Sequence, residues 1–162
     1  MSIRCSAKVI ILHEGKVLLN RCHHKNGQVY YDLPGGGQHP YENMREAAAR
    51  EVLEETGYRV RITRFAALAE EIYTDPDVRA RYPDYSHRIC HIFRAELLDE
   101  QAQRPSETDF GMEKSMWVDA GAVDKLLQIC PHGLKGRFCE LLDAQYPLDL
   151  GTCYYADTED QV

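Results

Sequence analysis

Strand-type and helix-type segments interleave along this chain, and that order predicts an α/β sandwich built on a mixed β-sheet. Three observations carry the expectation. The chain opens with β-branched apolar runs around a tight turn. A long Ala-, Glu- and Arg-rich stretch without internal Gly or Pro follows. Further strand-like runs then lead to an apolar stripe at helical spacing near the end. The 162 residues, 44% of them hydrophobic and 28% charged, suit one domain, placed by the sequence at residues 1–150.

Val9-Ile10-Ile11-Leu12 and Val17-Leu18-Leu19 flank Glu14-Gly15, the signal of a hairpin of two paired strands. Residues 21–28 are polar, contain Gly27 and read as a loop, and 29–33 form a short third strand ending at Pro34. Gly35-Gly36-Gly37 then supplies backbone that can turn tightly or approach a neighbour closely. Residues 43–56 read as a helix closed by Gly57. Strands follow at 58–72 and 86–97, separated by a long loop at 73–85, and a last strand at 115–118 surrounds the single tryptophan, Trp117. Two helices close the domain, one carrying Val123, Leu126 and Leu127, the other Leu134, Phe138, Leu141 and Leu142. The acidic residues 151–162 read as a flexible tail.

The central helix has an unusual face. Stepping about 100° per residue puts Glu51, Glu54 and Glu55 within one sector, with Ala49, Val52 and Leu53 opposite as the side that packs on the core. Like charges at i and i+4 cost roughly 0.2–0.5 kcal/mol, and Glu54 and Glu55 also sit at the negative end of the helix dipole. An ordinary helix would present such acids as a solvated face. One arranged against its own stability points to a cation, and Mg²⁺ takes carboxylate, carbonyl and phosphate oxygens. The glycine run just upstream can bring a main-chain carbonyl to the same ion.

Gly36-x5-Glu42-x7-Arg50-Glu51-Val52-x-Glu54-Glu55-x-Gly57-Tyr58 resembles the Nudix box, the signature of the Nudix hydrolase superfamily. Every Gly, Glu and Arg position is filled, and Tyr58 alone stands where an aliphatic residue is usual. The resemblance implies an α/β/α sandwich, a site for Mg²⁺ or Mn²⁺, and hydrolysis of a nucleoside diphosphate linked to a moiety X: a dinucleoside polyphosphate, ADP-ribose, a nucleotide sugar or a nucleoside triphosphate. It implies Glu51 and Glu55 as principal metal ligands, Glu54 as a further ligand or the proton acceptor, and Gly35 as a carbonyl ligand. Arg50 would orient a catalytic glutamate, and Glu42 would anchor the loop. For the general base, Glu54 is preferred because the helix fixes it, with Glu107 and Glu113 as candidates outside the box and Glu113 the better of the two. The contrasting reading is a catalytically silent Nudix domain that binds a nucleotide as a sensor. Such domains usually lose box glutamates, and this chain retains them.

Tyr73, Tyr82 and Tyr85, with Arg79, Arg81 and nearby Arg88, offer aromatic faces for a base and guanidinium forks for phosphate. Tyr73 lies 16 residues past Gly57, a position where a tyrosine in the family tends to mark dinucleoside polyphosphate hydrolases. Cys22-His23-His24 are consecutive loop residues without a partner cluster at zinc spacing, and His39 reads as an exposed loop histidine. The formal charge of -7 argues against coating extended nucleic acid, while leaving a small phosphate-rich ligand bound through metal ions compatible. The six scattered cysteines, none spaced as C-x-x-C, suit free thiols in the cytoplasm. No apolar run approaches the roughly 20 residues of a membrane span, and a homodimer is compatible with the composition.

Overall fold

The computed structural model describes residues 3–107 and 111–155. Its elements are β1 (Arg4–His13), β2 (Lys16–His23), β3 (Val29–Asp32), α1 (Met44–Thr56), β4 (Val60–Tyr73), α2 (Pro76–Arg81), β5 (His87–Leu97), β6 (Met112–Asp119), β7 (Ile129–Cys130), α3 (Phe138–Asp143) and β8 (Leu148–Tyr155). 3-10 turns lie at Ala120–Lys125 and His132–Leu134. The strands form a mixed sheet in the order β7-β3-β2-β1-β5-β4-β8, with β6 attached to β2. β1 pairs with β5 in parallel from Arg4↔Arg88 to Ile11↔Ala95, and this pairing sets the middle of the molecule.

Apolar cores lie on both faces of β1. Ala7, Val9 and Ile11 belong to one core with Ala47, Ala48 and Val52 of α1, whereas Ile10 belongs to the other with Leu134, Phe138 and Leu141. Double coverage explains why the strand reads as an unbroken apolar run instead of an alternating one. Lys8 is the exception within that run, and it belongs to the site described below.

Local sequence fixes both ends of α1. The Asn43 side chain accepts the Arg45 and Glu46 N–H groups at 3.0 Å each, and the Glu46 carboxylate accepts the Asn43 N–H at 2.8 Å, a reciprocal capping box. Gly57 ends the helix at φ 75°, where a Cβ would also stand 1.9 Å from the Gln103 carbonyl oxygen. Asn43→Ala is expected to lower stability by about 1 kcal/mol, read as a lower urea midpoint at unchanged m-value. The buried face of α1 differs from the wheel. Glu55 and Thr56 are buried beside Ala47, Ala48 and Val52, while Leu53 is 37% exposed. One of the three acids therefore points inward.

The end of the chain corrects three expectations. The Val123 segment is a 3-10 turn in which Asp119 accepts the Gly121 N–H, and Leu127 beyond it is 82% exposed. The expected last helix is broken at Gly136, φ 69°, and α3 restarts where Asp124 accepts the Phe138 and Cys139 N–H groups. The apolar spacing of Leu134, Phe138 and Leu141 predicts burial correctly, at 0%, 0% and 1% exposure, without the residues forming one helix. The boundary at residue 150 falls inside a strand, since β8 runs to Tyr155 and pairs in parallel with β4. Gly151 at φ 75° lies where the β4–β8 register shifts, so the glycine marks an irregularity within the strand. The acidic residues 157–160 lie outside the described residues.

The expected loop at 73–85 begins inside β4 and contains α2, whose N-cap Asp75 accepts the Asp77 and Val78 N–H groups ahead of a first-turn proline. All six cysteines are free. Among the described residues no helix is long and apolar enough to cross a membrane.

Candidate active site

A cavity of about 350 Å³ is lined by residues of β1, β2, β3 and β5, the glycine loop and α1. Its lining carries both signs of charge: Glu51, Glu55 and Asp32 against Arg4, Lys8 and Arg88. The glycine loop approaches α1 so closely that a Cβ on Gly36 would stand 2.5 Å from a Glu51 carboxylate oxygen. Gly35 at φ 131° leaves a Cβ 2.0 Å from the Ala7 carbonyl oxygen. Gly35 is required by space and by its backbone angle, whereas a Cβ at Gly36 would displace the end of the Glu51 side chain.

Arg50 organises the helix side of the site. It holds Glu42 in a two-point bond, Nη2 to Oε1 at 2.7 Å and Nε to Oε2 at 3.1 Å, and donates Nη2 to the Gly37 carbonyl at 2.9 Å. Its Nη1 reaches both Glu51 at 2.9 Å and Glu54 at 2.8 Å. These bonds, those to Glu42 foremost, raise the Arg50 pKa above its usual value. The Arg50 bond, with help from the His39 N–H at 2.6 Å, holds Glu42 down at about 2. Glu42 thus anchors the loop to the helix, and Arg50 orients Glu51 and Glu54 together.

Glu55 is 3% exposed and accepts the Asn20 side-chain amide and the Gly35 N–H, each at 2.8 Å. The Gly35 carbonyl, expected to face a metal, instead accepts the Lys8 ammonium at 2.6 Å. Lys8 also donates to the Leu33 carbonyl at 3.2 Å and to Asp32 at 2.7 Å. Burial opposes the Lys8 charge, but Asp32 and Glu55 outweigh it and raise the Lys8 pKa. Among the described residues no three carboxylate, imidazole or thiol side chains converge as a ready-made metal site.

The other expected residues divide. Tyr82, Tyr85 and Arg88 line the cavity, with the Arg4 guanidinium 4.6 Å above the Tyr85 ring. Tyr73 does not line it. It is 3% exposed and packs edge-on against Tyr155. Arg79 donates to the Tyr73 carbonyl, and Arg81 is exposed outside the cavity lining. Glu113 pairs with Arg21 and lines a second hollow with Glu55 and Trp117. Glu107 is exposed, and its backbone N–H closes on the Glu54 carbonyl at 3.1 Å. Cys22 and His24 are buried, with His24 bonded to Gln128 at 3.1 Å and stacked on Tyr30. His39 is exposed, as expected.

Sequence reasoning missed Arg4, Lys8, Asn20, Tyr30 and Asp32, all in the cavity lining. The available signal was a lone charge in each of two strand-like runs, Lys8 before Val9-Ile10-Ile11 and Asp32 after Tyr30-Tyr31. A charge in a buried strand needs a partner or a ligand.

A two-faced mixed sheet carrying a glycine loop on a helix of clustered glutamates defines the class, an α/β/α sandwich with an acidic loop-helix site. Residues 3–133 match the NUDIX domain, and the chain belongs to that family. A Bacillus subtilis (strain 168) protein carrying the provisional name 8-oxo-dGTP diphosphatase is 34% identical over 116 residues. The match covers 71% of this chain and 66%, just under two thirds, of that relative. Among solved structures, a NUDIX hydrolase from Nitrosomonas europaea superposes with a TM-score of 0.68 at 18% identity, covering 91% of this chain and 94% of the other. An ADP-ribose pyrophosphatase from Streptococcus suis gives 0.59 at 18% identity, covering 94% and 100%. These two likenesses establish the shared fold.

Proposed function

We propose that the chain is a divalent-cation-dependent hydrolase that cleaves the diphosphate bond of a nucleoside diphosphate linked to a moiety X. The observation that carries the reading is the Arg50 hub, which holds Glu51 and Glu54 side by side, with the Glu51 carboxylate where a Cβ on Gly36 would stand. The donor set fits Mg²⁺ or Mn²⁺. Mg²⁺ takes one or two protein carboxylates and completes its sphere with water and substrate phosphate, so Glu51 and Glu55, with Glu54 beside them, suffice without a closed protein cage. When bound, the ion supplies positive charge against the diphosphate oxygens and acidifies water. Gly35 contributes through its N–H, which fixes Glu55, more than through its carbonyl, which Lys8 already engages.

Glu54 accepts the proton of the attacking water; it lies outside the cavity lining itself, and what supports the role is the Arg50 Nη1 bond at 2.8 Å, which sets its carboxylate beside that of Glu51. Arg4, with its guanidinium over Tyr85, meets the phosphate chain. The names of the B. subtilis relative and the S. suis structure both support a nucleotide as substrate. The free thiols suit a cytoplasmic enzyme acting on a small molecule.

The test is a panel of dinucleoside polyphosphates, ADP-ribose, NADH, nucleotide sugars and nucleoside triphosphates, oxidised ones included. Each is incubated with Mg²⁺, with Mn²⁺ and with a chelator. At least one is expected to turn over with either metal and to stop with the chelator. Metal-dependent nucleotide binding without turnover of any of them would instead assign the chain to the silent, sensing kind.

A further inference from the structure

The sheet face under the cavity carries the cations Arg4, Lys8 and Arg88, and the protein uses them unequally. Alternate residues of β1, Arg4, Ser6 and Lys8, line the cavity, as do Arg88 and Cys90 of β5. Lys8 donates to Asp32, Leu33 and Gly35, so its ammonium is spent inside the protein. Arg4 and Arg88 are different. They are Cα partners in the parallel β1–β5 pairing, so both side chains leave the same face of the sheet side by side. Like charges directly opposite on neighbouring strands are destabilising. A pair kept in a cavity against that cost calls for an anion.

Each guanidinium is fixed, and each keeps donors free. Arg4 lies 4.6 Å above the Tyr85 ring, a contact that uses the flat face of the fork and leaves its in-plane N–H groups for an acceptor. Arg88 is held through Nη2 by Glu71 at 2.6 Å and by the Tyr155 hydroxyl at 3.0 Å, and its Nε is buried. Its side chain is still 25% exposed. Among the described residues Nη1 is neither bonded nor one of the buried unpartnered atoms, so it is the donor end open to the cavity. Glu71 balances the charge of Arg88, while the charge of Arg4 is set against a ring.

The glycine loop ties this pair to the acidic end of the site. A Cβ on Gly37 would meet Arg4 Nη2, and a Cβ on Gly36 would meet the Glu51 carboxylate. The two glycines are consecutive, with Cα atoms about 3.8 Å apart. A phosphate chain with its scissile bond at Glu51 can therefore run on to Arg4.

We infer that Arg4 and Arg88 form an anion subsite for a phosphate beyond the cleaved diphosphate, so that X is itself anionic, as in a nucleoside triphosphate or longer polyphosphate, and not an uncharged sugar. The inference rests on the nucleotide hydrolase reading above and deepens it by naming the class of X.

Substrate pairs that share a base test it: ATP against ADP-ribose, GTP against GDP-mannose and UTP against UDP-glucose, each with Mg²⁺. In the wild type kcat/KM is expected to favour the triphosphate about tenfold or more, the worth of a hydrogen bond to a charged group. In Arg4→Gln the ratio should fall to within about threefold, through a higher KM for the triphosphate. Arg4→Lys, the milder variant, keeps the charge but not the planar fork, and its ratio should fall part of the way. Wild-type ratios below about threefold overturn the inference without any variant. A preference that survives undiminished in either variant also overturns it, because the metal alone would then account for it. If no pair is hydrolysed, calorimetry separates the two readings. Tighter binding of the triphosphate than of its sugar partner keeps the anion subsite and sinks the hydrolase, and equal binding overturns the subsite as well.

Discussion

Glu54→Gln is expected to lower kcat by about 10²- to 10⁴-fold, the usual worth of a general base, on whichever substrate the panel identifies. Glutamine keeps the shape of the side chain and an oxygen to accept the Arg50 Nη1 bond, seen at 2.8 Å in the native protein. It cannot take a proton, so the loss should fall on kcat, while the exchange of the Arg50 ion pair for a neutral hydrogen bond should lower stability by at most about 1 kcal/mol. Glu113→Gln is the matched comparison. Its carboxylate pairs with Arg21 and its side chain is 45% exposed, in a second hollow that meets the main cavity at Glu55. Its loss should change kcat by less than about threefold, the scale of a surface change. The reverse pattern, a dead Glu113→Gln and an active Glu54→Gln, would move the base to β6 and leave Glu54 as a metal-side acid only.

What was legible in the sequence was what is local. Asn43, Glu46 and Gly57 cap α1 with bonds spanning at most four residues, and Glu42, Arg50, Glu51 and Glu54 meet because helix and loop spacing force them together. The cavity floor could not be read in this way. Lys8, Asp32 and Arg88 lie on β1, β3 and β5, and only the sheet order brings them to one place. The inward turn of Glu55 has the same origin. A helical wheel puts it with Glu51 and Glu54, but its partners, Asn20 and Gly35, come from β2 and the glycine loop, 35 and 20 residues away. At the C-terminal end, apolar spacing identified buried residues correctly and helix content wrongly, because Gly136 breaks the chain without disturbing which side chains face the core. β8 was lost for the opposite reason. A glycine and exposed polar residues in an edge strand look like a tail until β4 is there to pair with them.

Glu71→Gln is expected to lower the stability at pH 7 by about 3–5 kcal/mol, the cost of leaving a buried charge without its counter-ion. Glu71 is 2% exposed on β4 and joins three parts of the chain. It accepts Arg88 Nη2 from β5 at 2.6 Å, and the His132 N–H and Nδ1–H from the turn after β7 at 2.9 and 2.7 Å. A carboxylate accepts all three. A glutamine would turn its amide N–H₂ toward either Arg88 or His132, setting donor against donor. Burial alone would raise the Glu71 pKa, but the Arg88 charge and the His132 bonds hold it at about 2, below the ordinary 4.5. A folded-state pKa lowered in this way gives stability that is complete above the unfolded value and lost as pH falls through the folded one. Wild-type Tm should therefore decline between about pH 4.5 and 2 more steeply than that of Glu71→Gln. A residual slope should remain in the variant from Glu42, which Arg50 also holds at about 2. Acid limbs of equal steepness would mean that Glu71 is not the anchor of Arg88.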